Sequence, residues 1–191
     1  MCLLNVKRVR VEKMKQFGGP AIFLDRNDIN TDEIIPAKYL TENSKMALKP
    51  HMLEDLLVNG RPFDSTNDQV MNAQVVVSRA NFGCGSSREH AVWVFEVNDI
   101  NVIIAESFAR IFRQNMFNCG ILAVELEKNQ LDQLFNMQGD VTVSVDMDTS
   151  TLTASSSVPD QKDVSCTFSL NAFDKALVSA GGWLTYADQK Y

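Results

Sequence analysis

An α/β fold with a mostly parallel central sheet flanked by helices is predicted by three features of this 191-residue chain. Short apolar runs at Val75–Ser78, Val102–Ala105 and Ile121–Val124 alternate with helical stretches, and such units imply parallel strands joined by right-handed crossovers. The strands are apolar on both alternating faces, which suits a sheet covered on both sides. After Gly139 the period changes: Val141, Val143 and Val145 alternate with polar residues, as a half-exposed strand requires.

Taken in order, the chain opens with a basic segment. Lys7, Arg8, Arg10, Lys13 and Lys15 interleave with Val6, Val9 and Val11, so residues 1–17 read as an arm or edge strand whose lysines discourage further pairing. Residues 18–191 read as one domain. A strand is predicted over Ala21–Leu24. The loop 25–33 follows, with four acids, two asparagines and Thr31, a composition suited to Asx-type turns. Ile34-Ile35 restarts packing, and Pro36 closes the loop. Residues 41–74 form a polar excursion, in which Met46, Leu53, Leu56 and Leu57 predict a helix over 46–58, stopped by Asn59-Gly60. Helices are predicted over Ser87–Val97 and, capped by Ser107, over Phe108–Asn115. The Ser/Thr-rich stretch 149–157 predicts a β-hairpin arm, and a last helix starts at Ser169 and is stopped by Gly181-Gly182.

Composition narrows the function classes. A 45% hydrophobic content and this length support one substantial core. No apolar run approaches the roughly 20 residues of a membrane span. A net charge of −6 offers no general attraction to nucleic acid. Cys2, Cys84, Cys119 and Cys166 are scattered and form no CxxC pair, and the N-terminus lacks a secretory pattern, so a cytoplasmic protein with reduced thiols is expected. With two histidines and no cysteine cluster, no metal or iron–sulfur centre is expected to be held by this chain itself.

The chemistry concentrates in Asn81-Phe82-Gly83-Cys84-Gly85-Ser86-Ser87-Arg88-Glu89-His90, between a buried strand and a helix. Helix N-terminal N–H groups attract anions, glycines admit a ligand close to the backbone, and Arg88 adds a fork suited to a carboxylate. Ser86 and Glu89 also stand at capping-box spacing, so a purely structural role for Ser86 competes. Nucleotide loops are excluded, because the third glycine of a dinucleotide turn and the Lys-Ser/Thr of a P-loop are both missing. A Cys84 hydrolase with His90 as its base is an alternative, as is a non-catalytic dicarboxylate-binding scaffold. Asp32, pinned between a turn and an apolar run, is either a solvated loop acid or a carboxylate aimed at Arg88.

Two stretches, Asp28-Ile29-Asn30-Thr31-Asp32-Glu33-Ile34-Ile35-Pro36-Ala37-Lys38-Tyr39-Leu40 and Asn81 to His90, resemble the 3-isopropylmalate dehydratase small-subunit family, the detached swivel domain of the aconitase superfamily. Further matching stretches are Ala105–Phe112 and Asn118–Leu122, and the order and spacing agree over about residues 18–126. The resemblance implies a swivelling β/β/α fold and a separate large subunit carrying a [4Fe–4S] cluster, in a heterodimer or heterotetramer. It also implies a small 2- or 3-alkylmalate substrate. By the same resemblance Ser86 is the catalytic base, Ser87 and Arg88 bind substrate carboxylate, Asp32 supports the site, and Tyr39 and Leu40 wall the alkyl group. Thr41 stands where relatives often carry Arg, so homoaconitate-type and methylmalate-type substrates stay open beside isopropylmalate.

Overall fold

The computed structural model describes residues 15–190. Nine strands occur among them: β1 Phe17–Leu24, β2 Leu57–Val58, β3 Arg61–Pro62, β4 Val75–Ser78, β5 Val102–Ala105, β6 Leu122–Glu125, β7 Val141–Asp146, β8 Thr151–Ser156 and β9 Val164–Thr167. The helices are α1 Thr31–Ile34, α2 Asp68–Met71, α3 His90–Val97, α4 Arg110–Asn118, α5 Lys128–Phe135, α6 Ala172–Ser179 and α7 Trp183–Lys190. Seven strands form one sheet in the order β6-β5-β4-β1-β7-β8-β9. The predicted α/β class and its parallel, helix-flanked centre are found: β6, β5, β4 and β1 are mutually parallel, and β7, β8 and β9 extend the sheet antiparallel. Every residue of β4 and β5 is buried, whereas β7 alternates buried and exposed positions over its first four residues. The two hydropathy periods thus mark the two halves of the sheet.

β1 joins these halves and begins four residues before the predicted strand. Phe17 to Pro20 pair antiparallel with β7, and Ala21 to Leu24 pair parallel with β4. The sequence pattern hides the first half because it is Gly18-Gly19-Pro20. At Gly18 a Cβ would stand 2.3 Å from the Val143 carbonyl oxygen, so only glycine fits this crossing of strands. The basic segment predicted over 1–17 falls outside the described residues up to position 14.

The helix predicted over 46–58 does not form. A 3-10 segment at Lys45–His51, interrupted by Pro50, takes its first part, and Leu57–Val58 becomes a strand. Asn59 and Gly60 both have positive φ, 52° and 73°, and form the two-residue turn of the β2–β3 hairpin rather than a helix stop. The buried Leu48, Met52, Leu53 and Leu56 show that the apolar spacing marks core contact without helical geometry. The predicted hairpin arm is β7–β8, while β9, α5 and α7 were not anticipated. The helix predicted to start at Ser169 is α6, which starts at Ala172 behind the Asn171 side-chain cap, and α7 follows it beyond Gly181-Gly182.

Two further corrections shape the site. The helix predicted from Ser87 begins at His90, and its N-cap position is Glu89 with no side-chain capping bond, so the Ser86–Glu89 capping box does not form. Likewise α4 begins at Arg110 behind Ala109, again with no side-chain cap. Ser107 instead accepts the Asn81 backbone N–H at 2.9 Å.

Candidate functional site

The loop before α3 is held in place by its pairing with the turn before α1. Gly83 donates its N–H to the Ile29 carbonyl at 2.8 Å, and Thr31 donates its own to the Cys84 carbonyl at 2.9 Å. Asn30 and Cys84 thereby form an isolated parallel bridge. The glycines permit this course. Gly83 has φ +74°, and a Cβ there would lie 2.2 Å from the Phe112 ring; Gly85 has φ +92°. Upstream, Asp28 and Asn81 both adopt left-handed backbone, and the Asn81 amide donates to the Asp28 carboxylate at 2.7 Å. Residues 84–88 consequently run beside α1 before they turn into α3, which is why the helix starts late.

On the other side of this clasp, α1 is a single turn fixed by its cap. The Asn30 side chain accepts from the N–H groups of Asp32 and Glu33, and the Glu33 carboxylate accepts from the Asn30 N–H. Arg26 grips Glu33 through two nitrogens, at 2.6 and 3.1 Å. So held, Asp32 forms an ion pair with Arg88. Of the two readings open for Asp32, its geometry shows the one aimed at Arg88, with the carboxylate still 53% exposed.

A surface cavity of about 300 Å³ is lined by Gly83, Gly85, Ser86, Ser87, Arg88, Ala109, Arg110, Ile111 and Phe112. Ser86 and Ser87 are exposed, and among the described residues nothing hydrogen-bonds either hydroxyl. Arg88 is largely covered, its side chain 20% exposed. The opposite wall is the first turn of α4, whose leading N–H groups lack a side-chain cap. An uncapped helix start and two arginines therefore border one opening beside two hydroxyls that have no partner among the described residues, an arrangement suited to a small carboxylic acid. Arg110 and the exposed Ile111 were given no role from sequence. The signal that would have found them is a strand followed by a helix start with no Ser, Thr, Asp or Asn directly before it.

Tyr39 and Leu40 lie elsewhere in the chain's own geometry. Tyr39 ends a 3-10 turn at Ala37–Tyr39, stacks on His51 with ring centroids 3.8 Å apart, and donates its hydroxyl to Glu54 at 3.0 Å. Neither Tyr39 nor Leu40 lines the Ser86 cavity.

The Cys84 thiol is pushed up from its ordinary pKa, first by burial and then by Asp28, which opposes the thiolate that a cysteine hydrolase requires. The His90 ring packs on Trp93 at 4.6 Å between centroids. Among the described residues no three His, Cys, Asp or Glu side chains converge as metal ligands, and no helix is long and apolar enough to cross a membrane.

The profile of the aconitase C-terminal domain matches residues 11–129. The 3-isopropylmalate dehydratase small subunit of Pseudoalteromonas translucida is 37% identical over 156 residues, covering 78% of each chain. The protein of that name from Francisella tularensis subsp. novicida is 35% identical over 150 residues, covering 78% of this chain and 79% of its own. Among solved structures, the 3-isopropylmalate dehydratase of Methanocaldococcus jannaschii superimposes with a TM-score of 0.71 at 26% identity, covering 92% of this chain and 95% of the other.

Proposed function

The chain belongs to the aconitase C-terminal-domain family, among the 3-isopropylmalate dehydratase small subunits, and from that premise we propose that it is the small subunit of an isopropylmalate isomerase. In this reading residues 18–191 are the swivel domain and residues 1–17 an appended arm. The enzyme is a hydro-lyase of leucine biosynthesis in the cytoplasm. It interconverts 2- and 3-isopropylmalate by removing water and adding it back at the neighbouring carbon, and it is active only with a large subunit. The [4Fe–4S] cluster expected on that partner would supply Lewis acidity to the leaving hydroxyl. The described residues of this chain offer no ligand set for it, so the roles below concern its own side chains.

Arg88, oriented by Asp32, binds a carboxylate of the malate through its planar fork. Ser87, exposed beside it, donates its hydroxyl to the same group. Ser86 takes the proton from the carbon next to a carboxylate, and the pair of electrons left behind forms the alkene as the neighbouring hydroxyl departs. Readdition in the opposite sense, with a proton delivered to the carbon that lost the hydroxyl and hydroxide to the carbon that lost the proton, completes the isomerisation with one water removed and one returned. A serine oxyanion is costly near neutral pH. The N-termini of α3 and α4, the Arg88 charge and exclusion of water on subunit closure all favour it.

The observation that carries this reading is the pair of exposed hydroxyls at Ser86 and Ser87, unbonded among the described residues, beside an arginine whose side chain is 20% exposed. A hydroxyl that merely capped α3 would be bonded to its first turn, and this one is not. The test is anaerobic reconstitution with the large subunit, following 3-isopropylmalate consumption. The chain alone should show no turnover, the pair should show it, and Ser86→Ala should abolish it while the subunits still associate. Near-normal turnover by that variant would remove Ser86 from the role of base.

A further inference from the structure

Thr31 is 1% exposed, yet among the described residues its hydroxyl has a single partner, the carbonyl oxygen of Ser86 at 3.0 Å. Its backbone N–H reaches the Cys84 carbonyl at 2.9 Å. One residue of α1 thus holds the residues on both sides of Gly85. Gly85, with φ +92°, carries the chain past Thr31, and a Cβ built there would approach the threonine hydroxyl to 3.4 Å. One position on, Asp32 takes Arg88. Residues 84, 86 and 88 are therefore each tied to 31 or 32, while the side chain of Ser86 remains unbonded within the described residues.

We infer that Thr31 is a positioning residue for Ser86: its buried hydroxyl fixes the peptide group of the serine so that the side-chain oxygen meets the substrate carbon in a reactive pose. The inference rests on the reading of Ser86 as the base and deepens it. A serine whose own hydroxyl must stay free cannot be oriented through that hydroxyl. Its carbonyl is the remaining handle, and α1 supplies the donor. Valine would match threonine in shape and bury equally well, but it leaves the Ser86 carbonyl without this donor. Loss of the bond frees the peptide group to rotate, and displacements near 1 Å at a reacting atom cost on the order of a hundredfold in rate.

The experiment uses the full chain reconstituted with its cluster-bearing large subunit and compares Thr31→Val, Thr31→Ser and Ser86→Ala. Thr31→Val should lower kcat by about tenfold or more, leave KM within about twofold, and raise the deuterium isotope effect for substrate labelled at the carbon that loses its proton. Thr31→Ser, which keeps the donor, should recover kcat to within about threefold. A residue serving only the packing of α1 would not change the isotope effect. Thr31→Val with kcat within about twofold of the parent, or Thr31→Ser falling as far as Thr31→Val, overturns the inference. If the valine variant fails to associate with the large subunit, Thr31→Ala, which also lacks the donor, is read against the same thresholds. Failure of the two readings is distinguishable: an active Ser86→Ala enzyme removes the base, whereas an inactive one beside a normal Thr31→Val enzyme removes only the positioning role.

Discussion

Asp32 and Arg88 form an ion pair in which the guanidinium side chain is 20% exposed and the carboxylate 53%. Half-exposed pairs of this kind contribute only about 0.2–1 kcal/mol to stability, so the pair's value lies in orientation. Asp32→Asn is therefore expected to leave the folding free energy within about 1 kcal/mol of the parent. It should nevertheless lower kcat/KM of the reconstituted enzyme by about tenfold or more, through a poorly aimed Arg88. Arg88→Lys should cost at least as much, because a point charge cannot replace the fork. Equal kcat/KM for Asp32→Asn and the parent would separate Asp32 from substrate binding.

Gly83 gives a stability prediction that does not depend on function. Its φ of +74° is unfavourable to an L side chain, and a Cβ would meet the buried Phe112 ring at 2.2 Å, with no flexible chain end to give way. Gly83→Ala should destabilise the chain by about 2 kcal/mol or more in denaturant unfolding. Gly60, with nothing within 4 Å of its Cβ position, is the control: Gly60→Ala carries the backbone strain of φ +73° alone and should cost less.

Legibility from sequence followed the range of the interactions. The fully buried strands β4 and β5, and the alternation in β7, are written in hydropathy because each residue's surroundings repeat along the strand. The juxtaposition of Ser86, Ser87 and Arg88 at one opening was legible because two glycines, two hydroxyls and a guanidinium stand together at one strand-to-helix turn. Ser107 does not cap α4 because its hydroxyl accepts from the distant Asn81 N–H, and the capping alternative for Ser86 fails because the loops 28–31, 81–86 and 107–109 pair with one another and delay the start of α3. Thr31 and Arg110 escaped notice for the same reason. Their importance depends on contacts with residues 55 positions away in one case, and on the wall of a shared cavity in the other.

Thiol reactivity separates the hydro-lyase reading from a cysteine hydrolase. Burial pushes Cys119 up to about 12 and raises Cys84 and Cys166 as well. In a Cys2→Ser background, iodoacetamide at neutral pH should label the folded chain slowly and the denatured chain fast, since alkylation requires the thiolate. Rapid labelling confined to Cys84, accompanied by loss of a hydrolytic activity of the isolated chain, would favour the hydrolase instead.

Glu54 sets the acid limb of the stability profile. Burial alone would raise its pKa, but hydrogen bonds from Lys38, His51 and Tyr39 outweigh that effect and leave the carboxyl below its ordinary value of 4.5. A carboxyl whose folded pKa is depressed stabilises the fold at pH values above its unfolded pKa. It loses that contribution as the pH falls through the folded value. The window therefore opens near pH 4.5 and extends downward. Glu54→Gln should be less stable than the parent at neutral pH, and the difference should shrink through this window until the two curves converge. The variant keeps part of its acid sensitivity, because the Arg79 hydrogen bond also holds Asp132 below its ordinary range. Denaturant unfolding of both proteins from pH 7 down to about pH 3 makes the comparison. A constant gap across that range would show that Glu54 acts through packing of the Tyr39–His51 stack and not through its charge.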